Sequence, residues 1–187
     1  YVWFGGEEIG LLGSSYYTRQ LSAAERKRIA FDVDVDVTAT PNHDYLVADP
    51  AHAHNVDRFP KNVVPESKLG NQLFADYFAA AGVPSQPAWF GNDGTDSNSF
   101  SLVGIPNTGI LTQQNCCKKD WEVALWGGST GNYEGKVPGR DGGCVDRPHR
   151  WCDNLANNDP AVLELASKAT AYVVFNLANH DFSAAGR

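Results

Sequence analysis

Apolar side chains recur along this chain with two different periods, and the switches between them mark out the expected elements. Residues 1–4 are an apolar run that breaks at Gly5 and Gly6, delivers Glu7 and Glu8, and continues as small and apolar residues. This reads as strand, turn, acidic pair and helix, with the helix running on through 14–20. Ser22 followed by Glu25 fits a capping box leading a short basic turn to Arg28. Over 31–37 apolar and acidic residues alternate strictly, which predicts a strand carrying Asp32, Asp34 and Asp36 on one face. Another short strand is expected at 43–47. Over 65–81, Leu69, Leu73, Phe74, Tyr77 and Phe78 share one stripe and Gly82 stands just past the end, so an amphipathic helix covers a face of the sheet. A strand starts at Pro87 and empties into a polar loop over 91–100. The glycine-rich stretch 113–146 holds Trp121, Trp126 and Tyr133 and reads as a long ordered loop, with aromatic packing and covalent staples in place of secondary structure. Asp159 and Pro160 then open a long helix with Val162, Leu165, Ala166, Ala169, Val173 and Leu177 on one face.

Composition narrows the classes of function. With 187 residues and 42% hydrophobic content, one good core is expected. A net charge of -7 without a basic run argues against nucleic acid and anionic membrane as partners. No apolar stretch is expected to span a bilayer. The chain opens inside an apparent core strand, so the lack of a targeting segment carries no information. Cys116, Cys117, Cys144 and Cys152 lie in polar, glycine-rich sequence without the paired spacing of a thiolate zinc site, which favours disulfides and a secreted or extracytoplasmic location. Neighbours in sequence, Cys116 and Cys117 are each expected to take another partner. A local Cys144–Cys152 bridge around His149 and a pairing of both with the earlier cysteines stay open.

Candidate chemistry starts with the acids. Glu7 and Glu8 diverge as adjacent side chains, so one can hold a cation while the other accepts a proton; a solvated helix N-terminus also favours such a pair. Three aspartates on one strand face repel one another, and either a cation or solvent at a sheet edge relieves that. His52 and His54 point the same way from an extended chain, but no motif surrounds them and they read as surface residues.

Residues 4–14, with Gly5, Gly6, Glu7, Glu8 and Gly10, resemble the metal-site motif of the zinc-dependent aminopeptidases that bacteria and fungi secrete, relatives of glutaminyl cyclases. The resemblance implies that Glu7 is the general base and Glu8 a zinc ligand. The segment 36–42, with Asp36 six residues before the Asn42 that follows Pro41, is similar to the family segment whose Asp binds zinc. Thr95 and Asp96 stand where the family has Ser-Asp, leading to a short helix and the strand that begins Gly104-Ile105-Pro106. Asp96 is expected either to orient a ligand or substrate amine, or to cap that helix. Gly94 stands near where the family commonly has a substrate-contacting Arg. The segment 125–131 is similar to a pocket-walling loop, which makes Trp126 and Tyr133 candidate pocket residues, or the loop's own small core. His149, followed by Cys152 and Asp153, matches the family's last zinc ligand, although Pro148 replaces a common Tyr.

The implied fold is a three-layer α/β/α structure with a central, mixed, mostly parallel sheet and the site at strand ends. The implied activity is aminopeptidase hydrolysis of N-terminal peptide bonds by a zinc-activated water, with Glu7 moving the proton and Glu8, Asp36 and His149 holding metal. Two zincs in a complete site need a further His and a bridging Asp, which the family draws from upstream. Residues 1–187 are therefore expected to be the C-terminal portion of one zinc peptidase domain, with its first strands, and a partner segment packed against residues 2–4, lying outside this chain. The implied substrates are peptides or proteins with a free N-terminus. The alternatives are a single-zinc glutaminyl cyclase and a non-catalytic fragment with an incomplete site.

Overall fold

The alternating segment becomes β1 (Asp32–Val35), which pairs in parallel with β4 (Asn107–Leu111). The structure is a computed structural model that describes residues 1–88, 94–113, 116–133 and 154–183. On its other side β4 runs antiparallel to β2 (Leu46–Ala48), and β2 pairs in parallel with β3 (Gln86–Ala88). The order β1-β4-β2-β3 is a mixed sheet with two of its three pairings parallel. Among the described residues β1 has no strand on its outer side.

Two layers of helices sandwich this sheet, as the strand parities require. Thr108 and Ile110 point to α3 (Val63–Ala80) and α6 (Pro160–Ala178), whereas the Asn107 side chain donates to Ser101 Oγ of α4 (Ser97–Leu102) at 2.6 Å on the opposite face. The α3/α6 side holds the core: Phe74, Phe78, Ile110, Val47, Val162, Ala166, Ala169, Val173 and Leu177, with Val33 packed against them. Gly70 lets α3 lie close to the sheet, because a Cβ there would stand 2.6 Å from Thr108 Cγ2 and 2.7 Å from Phe31 Cζ. On the other face α1 (Leu12–Gln20) packs against α4, followed by α2 (Ala23–Arg28).

Local signals place several boundaries. Ser22 and Glu25 form the reciprocal capping box, at 3.2 and 2.8 Å, and Asp159 Oδ1 accepts from Ala161 N and Val162 N at the start of α6. Four expectations need correction. Residues 1–4 form no strand: a strand exists by pairing, no described strand lies beside them, and Tyr1, Val2 and Trp3 are exposed. The stretch after residue 113 is not free of regular structure; it carries β5 (Cys116–Lys118), α5 (Asp120–Trp126) and β6 (Gly131–Asn132). Its helix starts where Glu122 Oε2 accepts from Lys119 N at 2.6 Å. Cys116 and Cys117 are bonded to each other rather than to distant partners, while Cys144 and Cys152 lie outside the described residues. Finally α6 is, by length and composition, apolar enough to cross a membrane, with a mean hydropathy of 1.2. A helix that turns one full face to a protein core reaches such values, and α6 buries Val162, Ala166, Ala169, Val173 and Leu177 there.

Candidate metal centre

Three segments distant in sequence converge at the C-terminal end of β1. The first is the turn over 5–13, in which Leu11 N donates to Glu7 O (2.8 Å), Leu12 N to Gly6 O (3.0 Å) and Gly13 N to Gly5 O (2.9 Å). The fold-back is tight enough that a Cβ on Gly13 would lie 2.7 Å from Gly5 O. This turn is fastened to α4 from both sides. Phe4, Tyr17 and Phe100 form an aromatic trio with centroids 5.7–6.2 Å apart, and Ser14 Oγ and Ser15 Oγ lie 2.9 and 3.1 Å from Ser99 Oγ. The second segment is β1 with Asp36 just beyond it, and the third is the approach to α4 with Thr95 and Asp96.

Asp34 joins the last two. Its Oδ2 accepts from Thr95 Oγ1 and, at 3.2 Å, from Ser97 N. The amide at the start of α4 is thus satisfied from across the sheet, and Asp96, at the N-cap position, makes no capping bond with its own side chain. Its Oδ1 is buried without a hydrogen-bond partner, as is Oδ2 of Asp32. The role of Asp34 was missed from sequence, where only Asp36, the third acid of the alternating segment, matched a motif.

The resulting field is negative. The Glu7 carboxyl is pushed from 4.5 up to about 7, first by burial and then by Asp36, Glu8, Asp96 and Asp34 in that order. Asp36 is pushed from 3.8 to about 6, chiefly by burial, then by Asp34 and Glu8, against a lowering bond from Thr95. Burial raises Asp34 as well, although its bonds from Thr95 and Ser97 pull it back, and it raises Asp32 well above the ordinary range. Every charge acting on Glu7 in this way is another carboxylate. Hard anionic oxygens held together against their own repulsion suit a hard or borderline divalent cation, zinc included. Among the described residues, no three metal-ligating side chains form a ready group. The donors present fit part of a metal site: Glu8 and Asp36 can supply oxygens, and His149, the imidazole expected from sequence, lies outside the described residues.

Tyr133 and Trp126 sit elsewhere. Tyr133 is buried against Asp44 and Glu122, and burial, then these two acids, push its hydroxyl well above its ordinary value. Trp126 packs against the α3/α6 core and donates from Nε1 to Pro84 O at 2.6 Å. Both belong to the packing of the 116–133 subdomain. That unit is joined to the segment after β1 by a buried ion pair, Lys118 Nζ to Asp44 Oδ1 at 3.3 Å, with side chains 1% and 0% exposed. Asn42 adds bonds from Nδ2 to Ser129 O (2.7 Å) and Asn132 O (2.9 Å).

Comparison with known proteins supplies the family. Residues 1–174 match Peptidase family M28. The chain is 30% identical over 176 residues to leupeptin-inactivating enzyme 1 of Streptomyces exfoliatus, covering 94% of this chain and 34% of that protein. It is also 30% identical over 181 residues to the probable leucine aminopeptidase 2 of Aspergillus oryzae, covering 96% and 33%. Its fold superposes on a zinc aminopeptidase from Bacillus subtilis with a TM-score of 0.59 at 18% identity, covering 92% of this chain and 34% of that one. The chain therefore spans about a third of the length of the curated relatives it matches. With the match running almost end to end and the acids of the sequence motifs gathered at one end of β1, the chain belongs to peptidase family M28.

Proposed function

We propose that this chain carries the acid half of a metallo-aminopeptidase active site, Glu7 acting as general base and Glu8, Asp36 and His149 holding zinc. One observation supports it above the others: burial, together with carboxylates crowding in from three separated segments, pushes Glu7 to about 7, near the value at which a group both takes and returns a proton at neutral pH. Zinc, when bound, would polarise the scissile carbonyl and acidify water. Glu7 takes the proton of the attacking water and delivers it to the departing amine. Asp96, half-buried near Glu7 and Asp36, orients the metal-binding acids or the substrate's amine. Trp126 and Tyr133 act on the substrate pocket by holding the 116–133 unit in place.

The substrate class in this reading is a peptide or protein with a free N-terminus, and the location is secreted or extracytoplasmic. A complete site would hold two zincs, for which a further His and Asp would come from elsewhere in the same protein. Residues 1–187 are then the C-terminal portion of a single catalytic domain. A further part of that domain lies along the outer side of β1, where cavities of about 590 and 500 Å³ flank the strand. The runner-up is a single-zinc glutaminyl cyclase, because Glu8, Asp36 and His149 are by themselves a one-metal set.

The test uses the full-length protein. Glu7→Gln is expected to keep zinc and fold and to lower leucyl-anilide hydrolysis by about two to four orders of magnitude. Asp36→Ala and His149→Ala are expected to lose zinc as well as rate, read by metal mass spectrometry. Full activity in Glu7→Gln, or unchanged zinc in both other variants, rejects the assignment. Pyroglutamate formation from N-terminal Gln peptides without hydrolysis moves it to the cyclase.

A further inference from the structure

β1 and β4 both end in residues that ordinary side chains avoid. Val37, immediately after Asp36, has φ 47, and Gln113, two residues past β4, has φ 73. A β-branched residue in the left-handed region is a genuine outlier, since its branched Cβ crowds the backbone there. Such a conformation persists only where surrounding bonds over-determine it.

Those bonds come from one residue. The Val37 carbonyl accepts from Thr112 N at 2.7 Å and from Thr112 Oγ1 at 2.5 Å, so backbone and side chain of the same threonine hold the same oxygen. Thr112 is fully buried. Its Oγ1 also accepts from Thr40 N at 3.2 Å and lies 3.0 Å from Thr40 Oγ1, which in turn donates to Gln113 O at 2.6 Å. Its carbonyl accepts from Asp44 N at 3.3 Å. The backbone on either side of Val37 is thereby tied down: Asp36 N donates to Ile110 O at 3.3 Å, and residues 37, 40 and 44 all meet Thr112. The direction in which the Asp36 side chain leaves the sheet is set by its own place in the ladder; the turn at Val37 adds an anchor, on Thr112, for the backbone that leaves Asp36. The left-handed turn ends the ladder next to Asp36 and, through Thr112, holds the backbone that carries this carboxylate among Glu8 and Glu7.

We propose that Thr112 is a positioning residue for the metal site: its hydroxyl holds Val37 in the left-handed conformation and so fixes the backbone that carries Asp36. The proposal rests on the reading of Asp36 as a zinc ligand. Removing the hydroxyl while keeping shape and backbone donor, as Thr112→Val does, frees Val37 to relax and loosens the backbone that carries Asp36. Thr112→Ser keeps the hydroxyl. Val37→Gly removes the reason for the clamp, since glycine adopts the left-handed conformation without strain.

The experiment measures zinc affinity by chelator competition, together with kcat and KM on a leucyl anilide, in the full-length protein and its variants. Thr112→Val should weaken zinc by about 10–100-fold, the usual effect of losing a group that orients a ligand, and lower kcat more than it changes KM. Thr112→Ser should stay near the parent. Adding Val37→Gly to Thr112→Val should recover most of the zinc affinity. Parental zinc affinity in Thr112→Val overturns the proposal. A loss that Val37→Gly does not recover overturns it too, because Thr112 would then serve core packing alone. If Thr112→Val does not fold, the double variant decides: folding with zinc bound supports the proposal, and failure to fold rejects it. A parent that binds no zinc sinks the ligand reading and this proposal with it, whereas a zinc-binding parent with an unaffected Thr112→Val sinks only this one.

Discussion

The two ends of the segment from residue 36 to residue 44 carry buried acids in opposite circumstances. At one end Asp36 stands among Glu7, Glu8, Asp34 and Asp96, and all of these raise or share its burden of negative charge. At the other end Asp44, closed off from solvent, has Lys118 at 3.3 Å, itself buried and also donating to His43 O. Burial pushes Asp44 up to about 6 even so, with Lys118 pulling in the other direction. One acid brings its cation with it from β5; the other lacks one among its named neighbours. The difference teaches how to separate architecture from function: the compensated pair holds two units of structure together, and the uncompensated cluster leaves room for a cation from outside.

The strongest way to break the comparison is to remove the built-in cation. Lys118→Met should destabilise the protein by about 3–5 kcal/mol, because it strands Asp44 in a dry site, and Asp44→Asn in the same chain should recover part of that loss. Denaturant midpoints measure both. A Lys118→Met cost below about 1 kcal/mol would mean that Asp44 is hydrated and that the two ends are not so different. Removal of cations from the other end has a smaller effect and a sign that pH reveals. Folded carboxyls raised to about 7 at Glu7 and about 6 at Asp36 bind protons more tightly than in the unfolded chain, where they sit near 4.5 and 3.8. Their contribution favours the fold fully below the unfolded values and is lost as pH rises through about 6 to 7. Chelator-treated protein should therefore melt at higher temperature at pH 5 than at pH 7.5, and added zinc should lift the pH 7.5 value most. A metal-free melting temperature that climbs with pH across that window contradicts the uncompensated cluster.

Legibility in the sequence followed distance along the chain. Ser22 with Glu25, and Asp159 with the first amides of α6, are bonds between close neighbours, and residue type announces them. The stripe from Leu69 to Phe78 reports burial by its period alone. The motif acids Glu7, Asp36 and Asp96 were readable because each sits in a recognisable local string. Asp34 was not: its partner Thr95 is 61 residues away, and nothing next to either residue names the other. The left-handed turn at Val37 was equally hidden, since local preference argues against it and only Thr112, reached across the sheet, maintains it. The first four residues show the converse. Their apolar run satisfies the local rule for a strand, but pairing is not a local property, and among the described residues no strand pairs with them.

The hydroxyl contact between Ser14 and Ser99 closes a loop of 85 residues. Contacts of that span are the slow ones in folding, because the entropy of closure is lost before any packing rewards it. The acids of the site are then expected to meet late, when α1 docks on α4, and their repulsion to act after the early steps. A cation that needs all of them would then act on the finished molecule alone. It would lengthen the lifetime of the folded state and leave the speed of folding untouched, a division that stopped-flow unfolding and refolding with and without zinc would register directly.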